Sequence, residues 1–190
     1  TSMTLMFALA TSFNQPLNWD TGIVEFMNSM FDTATAFNST LTFDTSNVTN
    51  MQTMFNNATV FNQPLSWDTG SVTRMDRMFN SAKAFNQPLN WDTSSVLSMY
   101  QMFYVADSFN STLNFSDTSG VTDMTSMFRE ATSFNQPLTF DTSSVTLMNR
   151  MFRDATSFNN ILTFRCNVFI FIHFNTLYLH LWYIKKEDGS

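Results

Sequence analysis

One stretch of sequence decides the fold: Val72-Thr-Arg-Met75-Asp-Arg-Met78-Phe79-Asn-Ser-Ala82-Lys-Ala-Phe85-Asn86-Gln87-Pro88-Leu89-Asn90-Trp91-Asp92-Thr93-Ser94. The same unit recurs from residue 1 to about residue 164, and its Phe-Asn step marks the register. That step begins at Phe13, Phe37, Phe61, Phe85, Phe109, Phe134 and Phe158. The spacing is 24 residues, except that one extra residue, Ser116, lengthens a single interval to 25. A fixed period of about 20–50 residues indicates a repeat architecture in which each unit stacks on its neighbours.

Each copy contains two segments whose apolar residues are spaced differently. In the first, such as residues 48–58, apolar residues fall at i, i+3, i+6, i+7 and i+10, which predicts one face of a short helix. In the second, residues 65–67, apolar and polar side chains alternate, which predicts a short strand. One short helix and one short parallel strand per 24 residues predict an α/β fold. The expected architecture is a leucine-rich-repeat-like solenoid of about seven coils.

The repeated unit also carries a family resemblance. The pattern Val-Thr-x-Met-x-x-Met-Phe-x-x-Ala-x-x-Phe-Asn-Gln-Pro-Leu-x-x-Trp-Asp-Thr-Ser resembles the BspA-like leucine-rich-repeat family (DUF285 repeats), which occurs in surface proteins of bacteria and of some protists and algae. The resemblance covers residues 1–164 and implies a secreted or surface-exposed solenoid used for adhesion or protein contact. It brings no catalytic residue to carry over. Residues 165–190 form a separate, non-repeat apolar tail.

Two polar columns are expected to run through the stacked coils. The Asn after each Phe can hydrogen-bond along the stack and satisfy backbone groups where the coil turns. These residues are Asn14, Asn38, Asn62, Asn86, Asn110, Asn135 and Asn159. An Asp stands just before each predicted helix, where its carboxylate can cap the helix N-terminus. These residues are Asp20, Asp44, Asp68, Asp92, Asp117 and Asp141.

Metal binding is the alternative explanation for two of the repeated residue types. The Asp column suggests calcium, but each coil offers one carboxylate where calcium takes about six oxygens or more. The Met-x-x-Met pairs, which contain all fourteen methionines, suggest Cu(I). The methionines share a face with Val, Phe and Ala, however, and methionine fills irregular gaps in cores well. We therefore predict core packing for Met, capping for Asp, and no metal or cofactor.

The chain contains five N-glycosylation sequons. They begin at Asn38, Asn47, Asn57, Asn110 and Asn114. A chain this rich in Asn, Ser and Thr produces about five by chance, so the number by itself indicates nothing. The positions are more informative, because Ser-Thr replaces Gln-Pro after the column Asn in the second and fifth copies. Asn38 and Asn110 are expected either to carry glycan or to be buried in the Asn column, but not both.

No pattern in the chain predicts catalysis or nucleic-acid binding. There is no Gly-x-Ser-x-Gly motif and no glycine-rich phosphate loop. The histidines, His173 and His180, lie outside the repeat, and Cys166 has no predicted activating neighbour. Charged residues make up only 13% of the chain and the net charge is −6, which excludes a basic nucleic-acid groove. We predict that the protein is not an enzyme.

The apolar tail allows three interpretations. As a β segment it would cap the last coil or pair with a neighbouring solenoid. As a membrane helix, residues 167–184 would span about 27 Å, although His173, Asn175 and His180 would be costly in lipid. The third interpretation is a gene-model artefact, because the repeat breaks off abruptly at Arg165.

These patterns predict a non-enzymatic, extracellular or cell-surface protein with a structural or adhesive function. The Ser-, Thr- and Asn-rich composition favours that location. Solenoids normally end in polar capping repeats, and neither end of this one has such a cap. We therefore expect head-to-tail self-association into a filament or surface assembly. The alternative is a binding ectodomain, anchored by its tail, that recognises a protein or glycan on its sheet face.

Overall fold

The structure is a computed structural model, and it describes residues 1–160 and residue 162. In this part the chain winds into coils that stack along one axis, because parallel bridges join residues one repeat apart. One column of bridges pairs Ser2–Phe26, Phe26–Asn50, Asn50–Arg74, Arg74–Ser98, Ser98–Asp123 and Asp123–Leu147. A second column pairs Leu17–Leu41, Leu89–Leu113 and Leu138–Leu162. We number the coils from the N-terminus as residues 1–23, 24–47, 48–71, 72–95, 96–120, 121–144 and 145–160.

The prediction of an α/β solenoid with one helix and one strand per coil is wrong. Residues 1–160 and 162 contain no helix, and every bridge is isolated, so they contain no strand or sheet either. Each predicted helix is a run of consecutive turns, which we call the turn segment. The turn segments are residues 3–10, 27–34, 51–58, 75–82, 99–106, 124–131 and 148–155.

Backbone hydrogen bonds explain why the turn segment is not a helix. In residues 51–58, the N–H groups of Met51, Thr53, Phe55 and Asn57 donate to carbonyls of the next coil at 2.8–3.0 Å. The N–H groups of residues 54, 56 and 58 donate to the carbonyl three residues back, at 3.1–3.3 Å. An α-helix would direct every N–H to the carbonyl four residues back. Of these eight amides, four therefore join the coils and three close local turns.

The backbone angles of the turn segment exclude a helix directly. Two residues in each turn segment have a positive φ, for example 54° at both Thr53 and Asn57. Helices require negative φ throughout, and each left-handed non-glycine residue costs about 1–2 kcal/mol. The hydrogen bonds to the next coil offset this cost. The other residues with positive φ are Leu5, Leu9, Ser29, Thr33, Arg77, Ser81, Gln101, Val105, Ser126, Glu130, Arg150 and Asp154.

The core lies inside the coils and is built from the repeated apolar residues. All twelve methionines from Met27 onward are buried, which confirms that methionine packs in the core. Two columns of phenylalanine run beside them, represented by Phe79 and Phe85. The rings of these two residues stack at 4.0 Å, and each stacks on its equivalent in the next coil at 5.5 and 6.0 Å. Such ring pairs add about 0.5–1.5 kcal/mol each beyond the area they bury.

The extra residue, Ser116, is absorbed locally in the coil that contains it. Its N–H donates to the carbonyl of Trp91 at 3.1 Å, and its hydroxyl donates to Asp92 Oδ1 at 2.8 Å. The neighbouring ring of Phe115 is only partly buried. The insertion thus changes one corner of the stack and leaves the turn segments in register.

The apolar tail from residue 165 onward lies outside the described residues. Its three interpretations, including a membrane helix over residues 167–184, therefore remain predictions. In the part of the chain that the structure describes, no helix is long and apolar enough to cross a membrane.

Candidate functional site

The Asn column lies at the corner after the second phenylalanine of each coil. From Asn14 to Asn135, each side-chain Oδ1 accepts a hydrogen bond from the backbone N–H of the equivalent Asn in the next coil. The six distances are 2.8–2.9 Å. The side-chain carbonyl thus occupies the place that a backbone carbonyl would take in a sheet. This arrangement uses the amide for stacking.

The residue after each column Asn supports the same contact. The side chains of Gln63, Gln87 and Gln136 donate to the Asn Oδ1 of the preceding coil at 3.1 Å. In the second and fifth copies, the hydroxyls of Ser39 and Ser111 donate to the equivalent atom at 3.0 and 2.9 Å. Replacing Gln-Pro by Ser-Thr therefore keeps the hydrogen bond and creates a sequon as well.

The stacking role and glycan attachment use different atoms of the Asn side chain. Stacking uses Oδ1, whereas glycan is attached to Nδ2, so the expected exclusion at Asn38 and Asn110 does not follow from the geometry. Among the described residues, neither Nδ2 has a hydrogen-bond partner, and Asn110 is exposed. At two other sequons, Asn47 and Asn114, Nδ2 donates hydrogen bonds at 2.8 and 2.6 Å. Asn57, the fifth, is partly buried with a φ of 54°.

The Asp column does not cap helices, because the described coils contain none. In each of the six coils that carry it, Oδ1 accepts a hydrogen bond from the backbone N–H two residues later, at 2.8–3.1 Å. This contact closes an Asx turn. The N–H of Ser46 lowers the pKa of Asp44, with help from the Ser46 hydroxyl. The N–H of Ser94 likewise lowers the pKa of Asp92, with help from the Ser116 hydroxyl.

Sequence reasoning missed a third polar column, the Thr that follows each Asp. Each of these residues is buried, for example Thr69 with 1% exposed. The Thr69 hydroxyl donates to the backbone carbonyl of Asp92 in the next coil at 2.7 Å. The same contact is made by Thr21, Thr45, Thr93 and Thr118. One signal in the sequence could have revealed this column. The position is Thr in every copy, whereas a helix cap alone would also allow Ser.

The described parts of these columns form no cluster of metal-ligating side chains. The described coils contain no group of three or more His, Cys, Asp or Glu side chains that could hold a metal ion. His173, His180 and Cys166 lie outside the described residues.

The positions that vary most between copies lie in the turn segment and at the residue just before it. We define the turn face as residues 74, 76, 77, 80 and 81 and their equivalents in the other coils. It carries the arginines and tyrosines of the described coils: Arg74, Arg77, Tyr100, Tyr104, Arg129, Arg150 and Arg153. The rest of each unit changes much less from copy to copy.

A polar network around Asp76 occupies the middle of the turn face. The Asp76 side chain is only 9% exposed, and its Oδ2 lies 3.1 Å from Arg74 Nε. The same oxygen accepts a hydrogen bond from Gln52 Nε2 at 2.8 Å. The Ser98 hydroxyl donates to Asp76 Oδ1. Asp76 thereby fixes one side chain from the coil before it and one from the coil after it.

A groove opens over this network. It has a volume of about 510 Å³ and extends from Asn28 in the second coil to Asp123 in the sixth. Arg77 forms part of its wall: Nε donates to Gln101 Oε1 at 2.8 Å, and the guanidinium lies 5.2 Å from the centre of the Tyr100 ring.

Comparison with known protein families identifies the family of the chain. The family described as "Mycoplasma protein of unknown function, DUF285" matches residues 1–90, 40–116 and 89–168. The chain belongs to this family. No curated protein and no solved structure gave a match. The family description assigns no activity to this DUF285 protein.

The turn face of the DUF285 coils carries a second polar cluster beyond the groove. The Arg129 guanidinium lies 5.2 Å from the centre of the Tyr104 ring, and its Nη2 lies 2.9 Å from Glu130 Oε1. The Tyr104 hydroxyl donates to the same carboxylate at 3.4 Å. Arginine and tyrosine are thus held in place on two neighbouring parts of one face.

Proposed function

We propose that this DUF285 protein is a non-enzymatic structural and adhesive repeat protein that contacts other macromolecules through its turn face. The observation that carries the proposal is that different residues of each coil serve stacking and surface exposure. The Met, Phe, Asn, Thr and Asp columns build the stack, and the residues that vary most lie on the turn face. Binding surfaces are enriched in arginine and tyrosine, the residue types that the turn face carries.

The rigidity of the stack supports this proposal. Every pair of neighbouring coils is joined by turn-segment amides, by the Asn column and by stacked phenylalanines. A surface that is already fixed loses little conformational entropy when it binds, so more of the contact energy contributes to affinity. The binding surface is the turn face rather than a sheet face, because the described coils have no sheet.

The narrower family identity and the location form part of the same proposal. We infer a BspA-like leucine-rich-repeat surface protein, extracellular or at the cell surface. The long repeated unit supports the first inference. The second is supported by a surface whose polarity comes from Ser, Thr and Asn rather than from charge.

Binding to intact cells tests the adhesive function. The purified protein, carrying a fluorescent label, is titrated onto cells of its source organism. We expect Tyr104→Ala and Arg129→Ala to weaken binding by about tenfold or more, as truncation of central interface residues does. Ser66→Ala and Thr139→Ala, exposed on another side of the coils, serve as controls. Unchanged binding in the turn-face variants, or equal loss in the controls, would show that the turn face is not the contact surface.

Head-to-tail self-association is a second proposal, and the direction of the backbone ladder favours it. The turn-segment N–H groups that leave a coil point to the following coil, and the matching carbonyls point to the preceding one. Two stacks can therefore continue this ladder only head to tail, a heterologous contact that builds rings or filaments. Negative-stain microscopy would show filaments or rings, whereas dispersed monomers would exclude this assembly. If truncation after Phe164 left the assembly unchanged, the apolar tail would have no part in the contact.

A further inference from the structure

The groove over Asp76 is lined by polar residues at positions that vary between copies, so the repeat does not generate the same lining elsewhere in the described stack. At the position of Asp76, the neighbouring coils carry Gln52 and Tyr100. Among the described residues, only Asp76 links the coil before it and the coil after it through a buried carboxylate, with Gln52 on one side and Ser98 on the other. Both carboxylate oxygens of Asp76 accept hydrogen bonds from these partners. Asp76 therefore forms the floor of the groove and orients the side chains around it.

The side chains around this floor retain unused hydrogen-bonding atoms. Arg74 uses Nε for Asp76, its side chain is 54% exposed, and within the described coils its Nη atoms have no partner. Asn28 Oδ1 accepts a hydrogen bond from Thr4, and among the described residues its Nδ2 donors have no partner. Asp123 accepts the N–H of Thr125 through Oδ1, and its Oδ2 has no partner in the same part of the chain. Along the groove, two free donors, at Asn28 and Arg74, are thus followed by a free acceptor at Asp123.

Charge and polarity narrow the class of ligand. The charged groups of the lining are Arg74, Arg77, Asp76 and Asp123, so their charges sum to zero and the groove carries no net charge that would favour an ion of either sign. The lining contains no aliphatic side chain and a single aromatic ring, that of Tyr100. Sites for drug-like ligands and for the side chains of peptides are lined mainly by apolar groups. This groove favours a ligand that is neutral and polar over its whole length.

The shape of the groove requires an extended ligand. The lining spans four steps between coils, from Asn28 to Asp123, which corresponds to about 19 Å at the spacing of parallel bridges. An extended peptide would bind by adding a strand to a free backbone edge. Here the alternate amides of the turn segments are occupied by the next coil or by local turns. A hydroxyl group, by contrast, both donates and accepts, so it can pair with the free donors of Asn28 and Arg74 and with the free acceptor of Asp123.

We propose that the groove from Asn28 to Asp123 binds a neutral oligosaccharide in extended form. The proposal rests on the proposed function, because it names the ligand class of one part of the turn face. Arg74 and Asn28 donate to sugar hydroxyls, Asp123 accepts from them, and the Tyr100 ring supports one face of a sugar. Asp76 is a positioning residue that holds Arg74 and does not contact the ligand.

An array of immobilised glycans tests the ligand class. The intact protein is applied to neutral oligosaccharides, to sulfated and carboxylated oligosaccharides and to extended hexapeptides printed at equal density. We expect binding to one or more neutral oligosaccharides of four or more sugars. Binding confined to anionic glycans or to peptides, or binding to nothing on the array, would overturn the proposal.

Matched arginine variants then place the site. For the neutral oligosaccharide that binds best, Arg74→Ala should raise the Kd by about tenfold or more, because charge-assisted hydrogen bonds are lost. Arg150→Ala is the control, since it removes an exposed arginine of the same turn face outside the groove lining. Equal effects of the two variants would place the sugar elsewhere. Near-ultraviolet circular dichroism checks that both variants retain the fold.

Failure of this proposal is distinguishable from failure of the adhesive function. If the array shows no neutral oligosaccharide but Tyr104→Ala and Arg129→Ala still weaken binding to cells, the groove proposal is wrong and the adhesive proposal stands. If neither the array nor the cells bind, both are wrong.

Discussion

The left-handed residues of the turn segment can be tested by comparing alanine and glycine at a single position. Val105 has a φ of 55° and no polar atom in its side chain, so its substitution leaves the hydrogen bonds of the coil intact. Val105→Ala and Val105→Gly lose similar side-chain packing contacts. The two variants therefore differ mainly in how well their backbones tolerate a positive φ. In a helix, Gly is about 1 kcal/mol less stable than Ala.

At a left-handed residue the order of the two variants should be reversed. Relief of the left-handed conformation contributes about 1–2 kcal/mol in favour of Gly. The greater entropy of Gly in the unfolded chain subtracts about 0.5–1 kcal/mol. We therefore expect Val105→Gly to be more stable than Val105→Ala by about 0.7 kcal/mol, within a range of about 0–1.5 kcal/mol. For a domain of this size, each kcal/mol of stability shifts Tm by roughly 2–4 °C.

Val60 provides the control for this comparison. It is an exposed valine that is not among the residues with positive φ. At Val60 we expect Ala to be more stable than Gly by about 0.5–1 kcal/mol. Urea unfolding followed by tryptophan fluorescence measures all four variants, since Trp67 and Trp91 are buried. If Ala exceeded Gly at both positions, the left-handed turns, and the account of the coil built on them, would be refuted.

Three further predictions concern the polar columns. Thr69→Val keeps the shape but removes the donor to the next coil, and should cost about 1–3 kcal/mol in urea unfolding, whereas Thr69→Ser should retain the hydrogen bond. Because the pKa values of Asp44 and Asp92 are lowered in the folded state, their stabilising contribution is present above the ordinary Asp pKa and is lost as the pH falls below it. Asp44→Asn/Asp92→Asn keeps both turns, and should flatten the pH dependence of Tm below about pH 4; an unchanged profile would contradict this assignment. When the protein is expressed in a eukaryotic secretory host, glycopeptide analysis should find glycan on Asn110. If the folded, secreted protein carried no glycan at Asn110, the availability of its Nδ2 for glycosylation would be contradicted.

The sequence predicted the period and the core better than the local backbone. The spacing from Phe13 to Phe158 follows directly from the residues, and the burial of Met and Phe follows from their shared face. The spacing i, i+3, i+6, i+7 was assigned to a helix because consecutive three-residue turns place side chains on one face in the same way. The left-handed positions carry Thr53, Arg77 or Val105 rather than Gly, so the usual sequence signal of positive φ is missing.

The polar residues were identified more accurately than their roles. Asp92 was assigned to a helix cap, and its Oδ1 does accept a backbone N–H, but two residues later in an Asx turn. The Thr column was missed because buried hydroxyls depend on carbonyls from the next coil, which a single copy of the unit does not reveal. The groove was missed for the same reason: Gln52, Asp76 and Ser98 come together only when three coils are stacked.

The turn-segment ladder also gives the stack an electrostatic axis. In a β-sheet, successive peptide dipoles point in opposite directions and largely cancel. Here the four peptide groups per turn segment that reach the next coil point the same way, as Met51, Thr53, Phe55 and Asn57 show. Their N–H groups face the C-terminal end and their carbonyls the N-terminal end, which is opposite to an α-helix. Anions are therefore favoured near the C-terminal end of the stack and cations near its N-terminal end.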